Sequence, residues 1–409
     1  MSQKLANSDR NNAEMTPKRQ AGAKSVVSRR LHGHATTIFA EMSALATRTN
    51  SINLGQGFPD ESGPESVIDQ AIQAMRDGVN QYPPGHGNPD LIEAIRAHQA
   101  RHYGQDLSPA QVVVTTGATE AIAAAILALV DPGDEVITID PAYDSYPAMI
   151  AFAGGVRRAV TLQPPDFAVD LDALESAVSP STKVLLCNTP HNPTGRVFSR
   201  RELAGLAELA IRHDLIVISD EVYEHLTFAG HSHLPIATLP GMSERTITIS
   251  SSGKTFSLTG WKIGWAMGPA PLISAVEGAK NWLSYSSGAP FQPAIAHALN
   301  HEEAFHLALR DALQHKRELL GAGLRELGLT VFEPQGTYFI NTDVRPLGFA
   351  NGIDFCSWSA EHARVVAVPS QGFYADTNAG APYVRWAFCK RESVLAEAVA
   401  RLSAATSQL

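Results

Sequence analysis

The feature that most constrains this chain is a repeated pattern in which a short β-branched run precedes a polar or glycine-containing turn and then a helical stretch. Strands that are apolar on both faces are expected in a parallel sheet covered by helices on both sides. The alternation therefore predicts an α/β fold. The predicted strands are 111–115, 135–139, 183–187, 215–219 and 246–250, and the predicted helices between them include 121–129 and 201–213.

The carboxyl-terminal third changes character, because one long charged amphipathic helix over 304–327 is followed by shorter strands. These strands are predicted at 336–341, 365–368 and 383–388. The pattern predicts a smaller α+β domain, completed by a segment from the other end of the chain. The predicted division is a mobile tail over 1–28, an amino-terminal part of the small domain over 29–60, a large domain over 61–303 and the small domain over 304–409.

Composition excludes several classes of protein. Hydrophobic residues make up 44% of the 409 residues and charged residues 18%, which is ordinary for a globular protein and excludes wholesale disorder. The 32 basic and 41 acidic residues give a formal charge of -9, which argues against a general nucleic-acid-binding protein. Three scattered cysteines are too few for a disulfide framework or a zinc knuckle, and they indicate a reducing compartment.

The sequence also predicts a cytoplasmic location without a membrane span. The longest apolar run, 121–130, has about half the length that a bilayer requires. The first residues carry charges without a following apolar segment, so they do not resemble a signal peptide.

Ligands of open parallel sheets bind beyond the carboxyl ends of the strands, and several predicted strand ends carry unusual residues. Lys254 follows an apolar strand in SSGKTFSLTGWKIGW, where small neighbours would leave its amine partly desolvated. Desolvation lowers the pKa of an amine, as a nucleophilic lysine requires. Ser251 and Lys262 belong to the same segment. The alternative is a surface loop with two solvated lysines.

Asp220 comes directly after another apolar strand, in ISDEVYEHL, and Tyr223 follows three residues later. This spacing suits a carboxylate that holds a protonated ring nitrogen with a phenol beside it. The alternative is an aspartate that caps the next turn.

Three further motifs are weaker when taken alone. The segment NTPHNPTG combines two asparagines and two prolines in a tight turn that ordinary turn chemistry also explains. In TGATE, small residues between a strand and a helix offer free backbone N–H groups to a phosphate. Neither nucleotide-binding pattern, G-x-x-x-x-G-K-[ST] or G-x-G-x-x-G, is found there, which disfavours an NTPase or a dinucleotide enzyme. Tyr143 in DPAYDSY could stack on a ligand ring, although a core tyrosine is the alternative.

Arg385 lies inside an apolar predicted strand, YVRWAF. A buried arginine needs an anionic partner. The residue therefore indicates either a structural ion pair or the carboxylate of a substrate.

The motifs GATE, DPAY, NTPHNPTG, SDEVYEH, SSGKTF with GWKIGW, and YVRWAF occur in an order that resembles the class I and II aminotransferases, the fold-type-I pyridoxal-phosphate enzymes. The resemblance covers residues 30–405. The segments INLGQGFPD, VNQYPPGHGNPDL and SSGAPFQPA are similar to the branch of kynurenine and methionine aminotransferases and of actinobacterial N-succinyldiaminopimelate aminotransferases, the last being the preferred relative. The resemblance implies a mostly parallel seven-stranded sheet flanked by helices, a smaller α+β domain and a homodimer with shared active sites.

The resemblance implies pyridoxal 5'-phosphate as the cofactor and assigns roles to individual residues. Lys254 would hold the cofactor covalently and move the α-proton of the substrate. Asp220 would pair with the ring nitrogen and keep it protonated. Tyr223 and Asn192 would hydrogen-bond the phenolic oxygen of the ring, and Tyr143 would stack on the ring face.

The phosphate, by the same resemblance, would bind the backbone N–H groups of Ala118 and Thr119, the Ser251 hydroxyl and the charge of Lys262. Tyr82 would reach the phosphate of the neighbouring subunit. Aspartate aminotransferases have arginine at the position of Lys262 and a more serine-rich phosphate site than Ala118 and Thr119 provide. Both differences occur in the kynurenine-type branch.

For the substrate, the resemblance implies that Arg385 binds the α-carboxylate bidentately, next to Asn192 and with Gly57 leaving backbone room beside it. The expected reaction exchanges an amino group between the glutamate/2-oxoglutarate pair and a long polar amino acid such as N-succinyl-L,L-diaminopimelate in lysine biosynthesis. Amino acid and 2-oxo acid are the implied partners, with no metal ion, nucleic acid or membrane.

Two other classes remain open. One is a kynurenine, methionine or glutamine aminotransferase or a cysteine-S-conjugate β-lyase, which would use the same residues. The other is a non-catalytic regulator, for which the roughly 30 residues ahead of the resemblance leave too little room for a DNA-binding domain.

Overall fold

The computed structural model describes residues 27–34 and 37–409, so the tail predicted over 1–28 lies outside the described residues except for its last two positions. The α-helices are α1 (Ile38–Thr49), α2 (Glu65–Arg76), α3 (Pro89–Tyr103), α4 (Gly117–Leu129), α5 (Ser145–Ala153), α6 (Leu171–Ala177), α7 (Arg200–Arg212), α8 (Ser252–Thr255), α9 (Ala270–Lys280), α10 (Phe291–His301), α11 (Glu303–Glu326), α12 (Gly352–Trp358), α13 (Thr377–Gly380) and α14 (Glu392–Thr406). The β-strands are β1 (Ile52–Asn53), β2 (Val112–Thr116), β3 (Glu135–Asp140), β4 (Val156–Thr161), β5 (Thr182–Asn188), β6 (Ile216–Asp220), β7 (Thr246–Ser251), β8 (Ile263–Met267), β9 (Thr330–Phe332), β10 (Phe339–Asp343), β11 (Val365–Val366), β12 (Val368–Pro369) and β13 (Tyr383–Ala387).

Seven strands form the central sheet in the order β2-β8-β7-β6-β5-β3-β4. Strands β4, β3, β5, β6 and β7 pair in parallel, whereas β8 runs antiparallel to both of its neighbours, β7 and β2. Only residues 252–262 separate β7 from β8. This is shorter than the dozen or more residues that a parallel crossover needs, so the chain returns antiparallel. The mostly parallel sheet that the resemblance implied is confirmed.

Helices cover both faces of the central sheet. On one face, α4, α5 and α9 contribute Ala121, Ile150 and Ile273 to a buried cluster against the strands. On the other, α6 and α7 contribute Leu174 and Leu203. All six residues of β3 are buried, as expected for a strand between two helical layers.

The strands predicted in the large domain are observed with each bound within one residue of the prediction. The helix predicted to begin at 121 begins four residues earlier, because Gly117 takes φ +74 directly after β2 and the residues of GATE are already helical. The strand predicted over 336–341 begins at Phe339, because Thr337 has φ 68 and interrupts the extended backbone. The strand predicted over 365–368 divides into β11 and β12, which belong to different sheets.

Two smaller sheets lie in the carboxyl-terminal part of the chain, and one of them also contains an amino-terminal strand. Strands β12, β13, β10 and β9 form an antiparallel sheet, and β1 pairs in parallel with β11. The register places Ile52 opposite Val365. On these contacts we propose the predicted division, in which 29–60 and 304–409 form one small domain beside the large domain over 61–303.

Among the described residues, every helix falls short of the length and apolar character that a bilayer span requires.

Candidate active site

The carboxyl ends of β5, β6 and β7 lie side by side and open into a cavity of about 350 Å³, a volume in the range of small-molecule sites. Asn188 at the end of β5 is in register with Asp220 at the end of β6. β7 ends at Ser251 and leads directly into α8, which carries Lys254. The cavity is lined by most of the predicted site residues, namely Gly57, Ala118, Thr119, Tyr143, Asn192, Asp220, Tyr223, Ser251, Lys254, Lys262 and Arg385.

Tyr82 is the exception among the predicted site residues. It does not line the cavity of its own chain, and it is 83% exposed. Its ring packs edge-on against Tyr285, with 6.0 Å between the centroids. Its predicted role, at the phosphate of a neighbouring subunit, stays a prediction.

Lys254 brings a primary amine to the lining of the cavity. Its Nζ donates a hydrogen bond to the phenolic oxygen of Tyr338 at 2.7 Å. Burial lowers the pKa of the Lys254 amine to about 8, and the charges of Lys262 and Arg385 act in the same direction. Because the neutral amine is the nucleophile, the lowered pKa makes Lys254 more reactive than a surface lysine at neutral pH.

Tyr338 is hydrogen-bonded to Lys254. It is 1% exposed, and its hydroxyl accepts from Lys254 while it donates to the backbone oxygen of Gly57. Each hydrogen-bonding position of this phenol therefore has a partner within the chain.

Asp220 supplies a buried carboxylate at the end of β6. It is 5% exposed, and its Oδ2 accepts a hydrogen bond of 2.7 Å from the hydroxyl of Tyr146. Burial raises the pKa of the Asp220 carboxyl to about 6, against the lowering effect of that hydrogen bond. A cation beside Asp220 would restore its charge, because a buried carboxylate is stable when it is paired.

Tyr223 and Asn192 occupy the next positions around the cavity. The Tyr223 ring is 3% exposed and packs edge-on against Tyr338 at 5.3 Å, and burial raises the pKa of its phenol, which keeps it protonated. The Asn192 backbone N–H donates to Asn188 Oδ1 at 2.7 Å. The NTPHNPTG turn is thereby tied to the end of β5.

The start of α4 forms part of the cavity lining. The backbone N–H groups of Ala118 and Thr119 belong to the first turn of this helix, where the helix dipole favours a negative charge. Lys262 extends over this turn, since a Cβ on Gly117 would lie 3.4 Å from its Nζ. Ser251 also lines the cavity.

Gly264 on β8 allows this arrangement by close backbone contact. A Cβ at Gly264 would lie 2.5 Å from the carbonyl carbon of Gly117 and 2.7 Å from the backbone nitrogen of Ala118, which are atoms that cannot swing away. We expect Gly264→Ala to lower the free energy of unfolding by about 1–3 kcal/mol, as overpacking does. The matched control is Gly260→Ala, where a Cβ meets no atom within 4 Å. Urea unfolding of both variants measures the difference, and equal midpoints would contradict the expectation.

Arg385 is 1% exposed and lies among aromatic rings. Its guanidinium donates to the backbone oxygen of Gly55 at 2.9 Å and to Asn192 Oδ1 at 3.0 Å. The guanidinium carbon is 3.9 Å from the centre of the Phe339 ring and 4.9 Å from that of Phe39. Burial lowers the pKa of Arg385 to about 10, so it remains a cation at neutral pH.

The structure distinguishes between the two interpretations of this arginine. Among the residues that the structure describes, no ion pair involves Arg385, and its buried Nε has no hydrogen-bond partner. The interpretation of Arg385 as part of a structural ion pair is therefore wrong. The arginine has the charge and a free donor that a ligand carboxylate requires.

Gly57 leaves room beside the arginine. A Cβ at this position would lie 2.5 Å from the ring of Phe339. The glycine is required by this close approach and not by a left-handed backbone.

Sequence reasoning missed several residues of the site. Tyr146 lies one helical turn after Tyr143, so the i, i+3 spacing within DPAYDSY was a signal that could have found it. Tyr338 is buried and contacts Lys254, and no motif singled out in the sequence contains it. Phe39 comes from α1, and nothing in its local sequence indicates a contact with Arg385.

The site fits pyridoxal 5'-phosphate on four observations of this chain. A helix start with Lys262 above it suits the phosphate, and Asp220 offers the buried carboxylate that a protonated ring nitrogen would satisfy. Lys254 offers an amine of lowered pKa. Tyr143 lines the cavity and offers an aromatic face.

The family model for aminotransferase class I and II matches residues 49–402. A curated relative from Mycobacterium tuberculosis, named as a probable N-succinyldiaminopimelate aminotransferase, is 53% identical over 91% of this chain and 97% of its own length. The methionine aminotransferase of Escherichia coli is 40% identical over 90% of this chain and 95% of its own. The mouse kynurenine–oxoglutarate transaminase 3 is 38% identical over 90% of this chain and 87% of its own.

Solved structures agree with these relatives. The structure of N-succinyldiaminopimelate aminotransferase from Mycobacterium tuberculosis superposes with a TM-score of 0.91 at 53% identity, covering 93% of this chain and 100% of that one. The family resemblance and the fold implied by the motifs are therefore confirmed.

Proposed function

The chain belongs to the class I and II aminotransferases, which are pyridoxal-phosphate enzymes, and from this membership we propose that it exchanges an amino group between N-succinyl-L,L-diaminopimelate and the glutamate/2-oxoglutarate pair. This reaction would place it in lysine biosynthesis. Transamination between an amino acid and a 2-oxo acid follows from the family, and the proposal concerns the identity of the amino acid.

The observation that carries the proposal is the 53% identity with the mycobacterial relative over almost the whole length of both chains. The methionine and kynurenine relatives share 40% and 38%. Arg385 would bind the α-carboxylate. Every amino acid carries this group, so Arg385 does not discriminate among substrates. Selection among amino-acid side chains must therefore come from other residues of the site.

Several uncharged side chains near the site could hydrogen-bond the side chain of the substrate, and the structure shows which of them already have partners. The phenol of Tyr338 already bonds Lys254 and Gly57, and the Ser287 hydroxyl shares a hydrogen bond of 2.8 Å with that of Thr116. Tyr285 is 47% exposed, and the buried Ser286 hydroxyl has no partner among the described residues; both lie outside the cavity lining, next in sequence to Ser287. We propose these two uncharged groups as contacts for a long polar side chain.

In the proposed mechanism, Lys254 would hold the cofactor and move the α-proton of the substrate, because its amine is desolvated and lines the cavity. Bound pyridoxal 5'-phosphate supplies the ring that accepts the electrons left by the departing proton. Asp220, fixed by Tyr146, keeps the ring nitrogen protonated. Tyr223 and Asn192 would donate hydrogen bonds to the phenolic oxygen of the ring.

The remaining predicted residues bind and orient. Tyr143 would cover the ring face, while the start of α4 with Ala118 and Thr119, together with Ser251 and Lys262, would hold the phosphate. Arg385 would fix the α-carboxylate, with Gly57 providing the space. Orientation by several buried contacts lowers the entropic cost of reaction.

We further propose a homodimer with shared active sites. Tyr82 is 83% and Trp282 91% exposed, and Tyr82 packs on Tyr285 beside the site. Large exposed aromatic side chains of this kind are expected where another protein surface covers them. The proposal also includes the cytoplasm as the compartment, which three buried cysteines without a disulfide support.

The substrate proposal is tested by comparing kcat/KM for succinyldiaminopimelate, kynurenine, methionine and aspartate with 2-oxoglutarate as acceptor. We expect succinyldiaminopimelate to lead by at least about tenfold, because a site that hydrogen-bonds a substrate rejects analogues lacking the group. If kynurenine or methionine leads by tenfold, the substrate is wrong and the transamination stands. Pyruvate release from a cysteine conjugate without any 2-oxo acid would instead indicate a β-lyase.

A further inference from the structure

A second cluster of reactive side chains lies outside the cavity, behind the turn that follows Asp220 and Tyr223. Glu224 and His225 belong to this turn and do not line the cavity. They meet His98 of α3, and the three side chains bring one nitrogen or oxygen atom each within 4.8 Å of one another.

The distances between these donor atoms are close to those of a metal site. His98 Nε2 lies 2.8 Å from His225 Nε2, which in turn lies 4.0 Å from Glu224 Oε2. A tetrahedral zinc ion with bonds of about 2.0–2.1 Å separates its ligand atoms by roughly 3.3 Å. The observed separations fall on either side of this value, so small side-chain rotations would bring the atoms into position.

His102 offers a fourth ligand. His98 and His102 are four residues apart on α3, the spacing at which one helix face presents two imidazoles to a metal. Their ring centroids are 4.5 Å apart, and the His102 ring lies 5.1 Å from that of His225. The Nε2 atom of His102 is buried and has no hydrogen-bond partner in the described part of the chain.

Two buried carboxylates lie at the cluster or beside it. Glu224 is 5% and Glu221 1% exposed, and within 27–34 and 37–409 neither carboxylate pairs with a lysine or an arginine, while Glu221 lies 2.8 Å from His233 Nε2. Glu224 also accepts hydrogen bonds from Ser250 and Tyr103. Buried carboxylates are normally paired with a cation or coordinated to a metal.

We propose that His98, His102, Glu224 and His225 bind one Zn²⁺ ion. Two imidazoles from one helix face, a third imidazole and a carboxylate form the mixed donor set that zinc accepts. The ion would tie α3 to the turn that follows Asp220 at the end of β6, at a site separate from the aminotransferase reaction.

The test uses the full-length protein loaded with pyridoxal 5'-phosphate. After dialysis against EDTA, the protein is titrated with ZnCl₂ in competition with a chromophoric chelator, and metal content is measured after gel filtration. We expect about one zinc per chain and a rise in the thermal midpoint on binding. Titration with Co²⁺ should give the intense visible absorption of a tetrahedral site.

Matched variants locate the ion. We expect His98→Gln and His225→Gln each to weaken zinc binding at least tenfold, as loss of one ligand does. The control is His301→Gln, which disrupts the histidine pair His297 and His301 on α10, whose rings lie 4.7 Å apart. This variant should bind zinc as the wild type does. Equal binding by the wild type and His98→Gln overturns the proposal.

Measurements on the wild type alone can also overturn the proposal, so the test does not depend on whether a variant folds. Binding of less than stoichiometric zinc, or a Co²⁺ spectrum of the weak octahedral type, overturns the proposal. Loss of zinc from His301→Gln with retention in His98→Gln would place the ion on the surface of α10 and would overturn it equally.

Discussion

Replacing Lys254 with alanine should reduce transamination by at least about 10⁴-fold while the fold survives. General acid–base catalysis alone contributes about 10² to 10⁴-fold, and Lys254→Ala also removes the amine that holds the cofactor. The side chain lies on the short α8 and its main polar contact is Tyr338, so alanine leaves the sheet intact. Single-turnover measurements of amino-acid deamination would give the rate.

The appropriate control for this variant is Lys262→Ala. It removes a positive charge of the same cavity without removing the amine of lowered pKa, so it should weaken cofactor binding and leave turnover at saturating cofactor within about 100-fold. Circular dichroism verifies that both variants fold. Activity of Lys254→Ala above about 1% of wild type would exclude Lys254 as the proton carrier.

Replacing Asp220 with alanine should slow removal of the α-proton by about 10² to 10³-fold and weaken cofactor binding, because truncating one partner of a buried charge pair costs about 2–5 kcal/mol. Asp220→Glu keeps the carboxylate and should lose much less. Tyr146→Phe removes only the 2.7 Å hydrogen bond to Asp220 and should fall between the wild type and Asp220→Ala. Stopped-flow measurement of the substrate α-deuterium isotope effect would separate slowed proton removal from weakened binding.

Equal activity of Asp220→Ala and Asp220→Glu would reduce Asp220 to a turn cap. The capping interpretation has a structural basis, since the Val222 N–H donates to Asp220 Oδ1 at 3.3 Å. A cap of this kind does not require a buried carboxylate, whereas Asp220 is only 5% exposed and is also bonded to Tyr146.

The large-domain strands were predictable because burial on both faces leaves a continuous apolar run, which is visible in the sequence. β8 was not, because its residues occur within the GWKIGW motif and were interpreted as ligand chemistry alone. Val156–Thr161 also escaped prediction, because its exposed edge position admits two arginines and dilutes the apolar signal. A strand at the edge of a sheet needs less apolar surface than a central strand.

The site was predictable where a residue follows a strand within one short motif, as Lys254, Asp220 and Asn192 do. It was not predictable where contacts join distant segments. Tyr338 meets Lys254 across 84 residues of sequence, and the hydrogen bond between Arg385 and Gly55 spans 330. Such contacts depend on how the sheets pack, which local pattern does not encode.

The pairing of β1 with β11, and the contact of Gly55 with Arg385, have a consequence for how the enzyme could be controlled or engineered. Because Phe39 and Gly55 help hold the guanidinium that would receive the substrate, docking of the amino-terminal segment and binding of a dicarboxylate are coupled equilibria. Detachment of α1 should weaken ligand binding by a certain factor. A bound ligand should then slow proteolysis of residues 37–58 by that same factor.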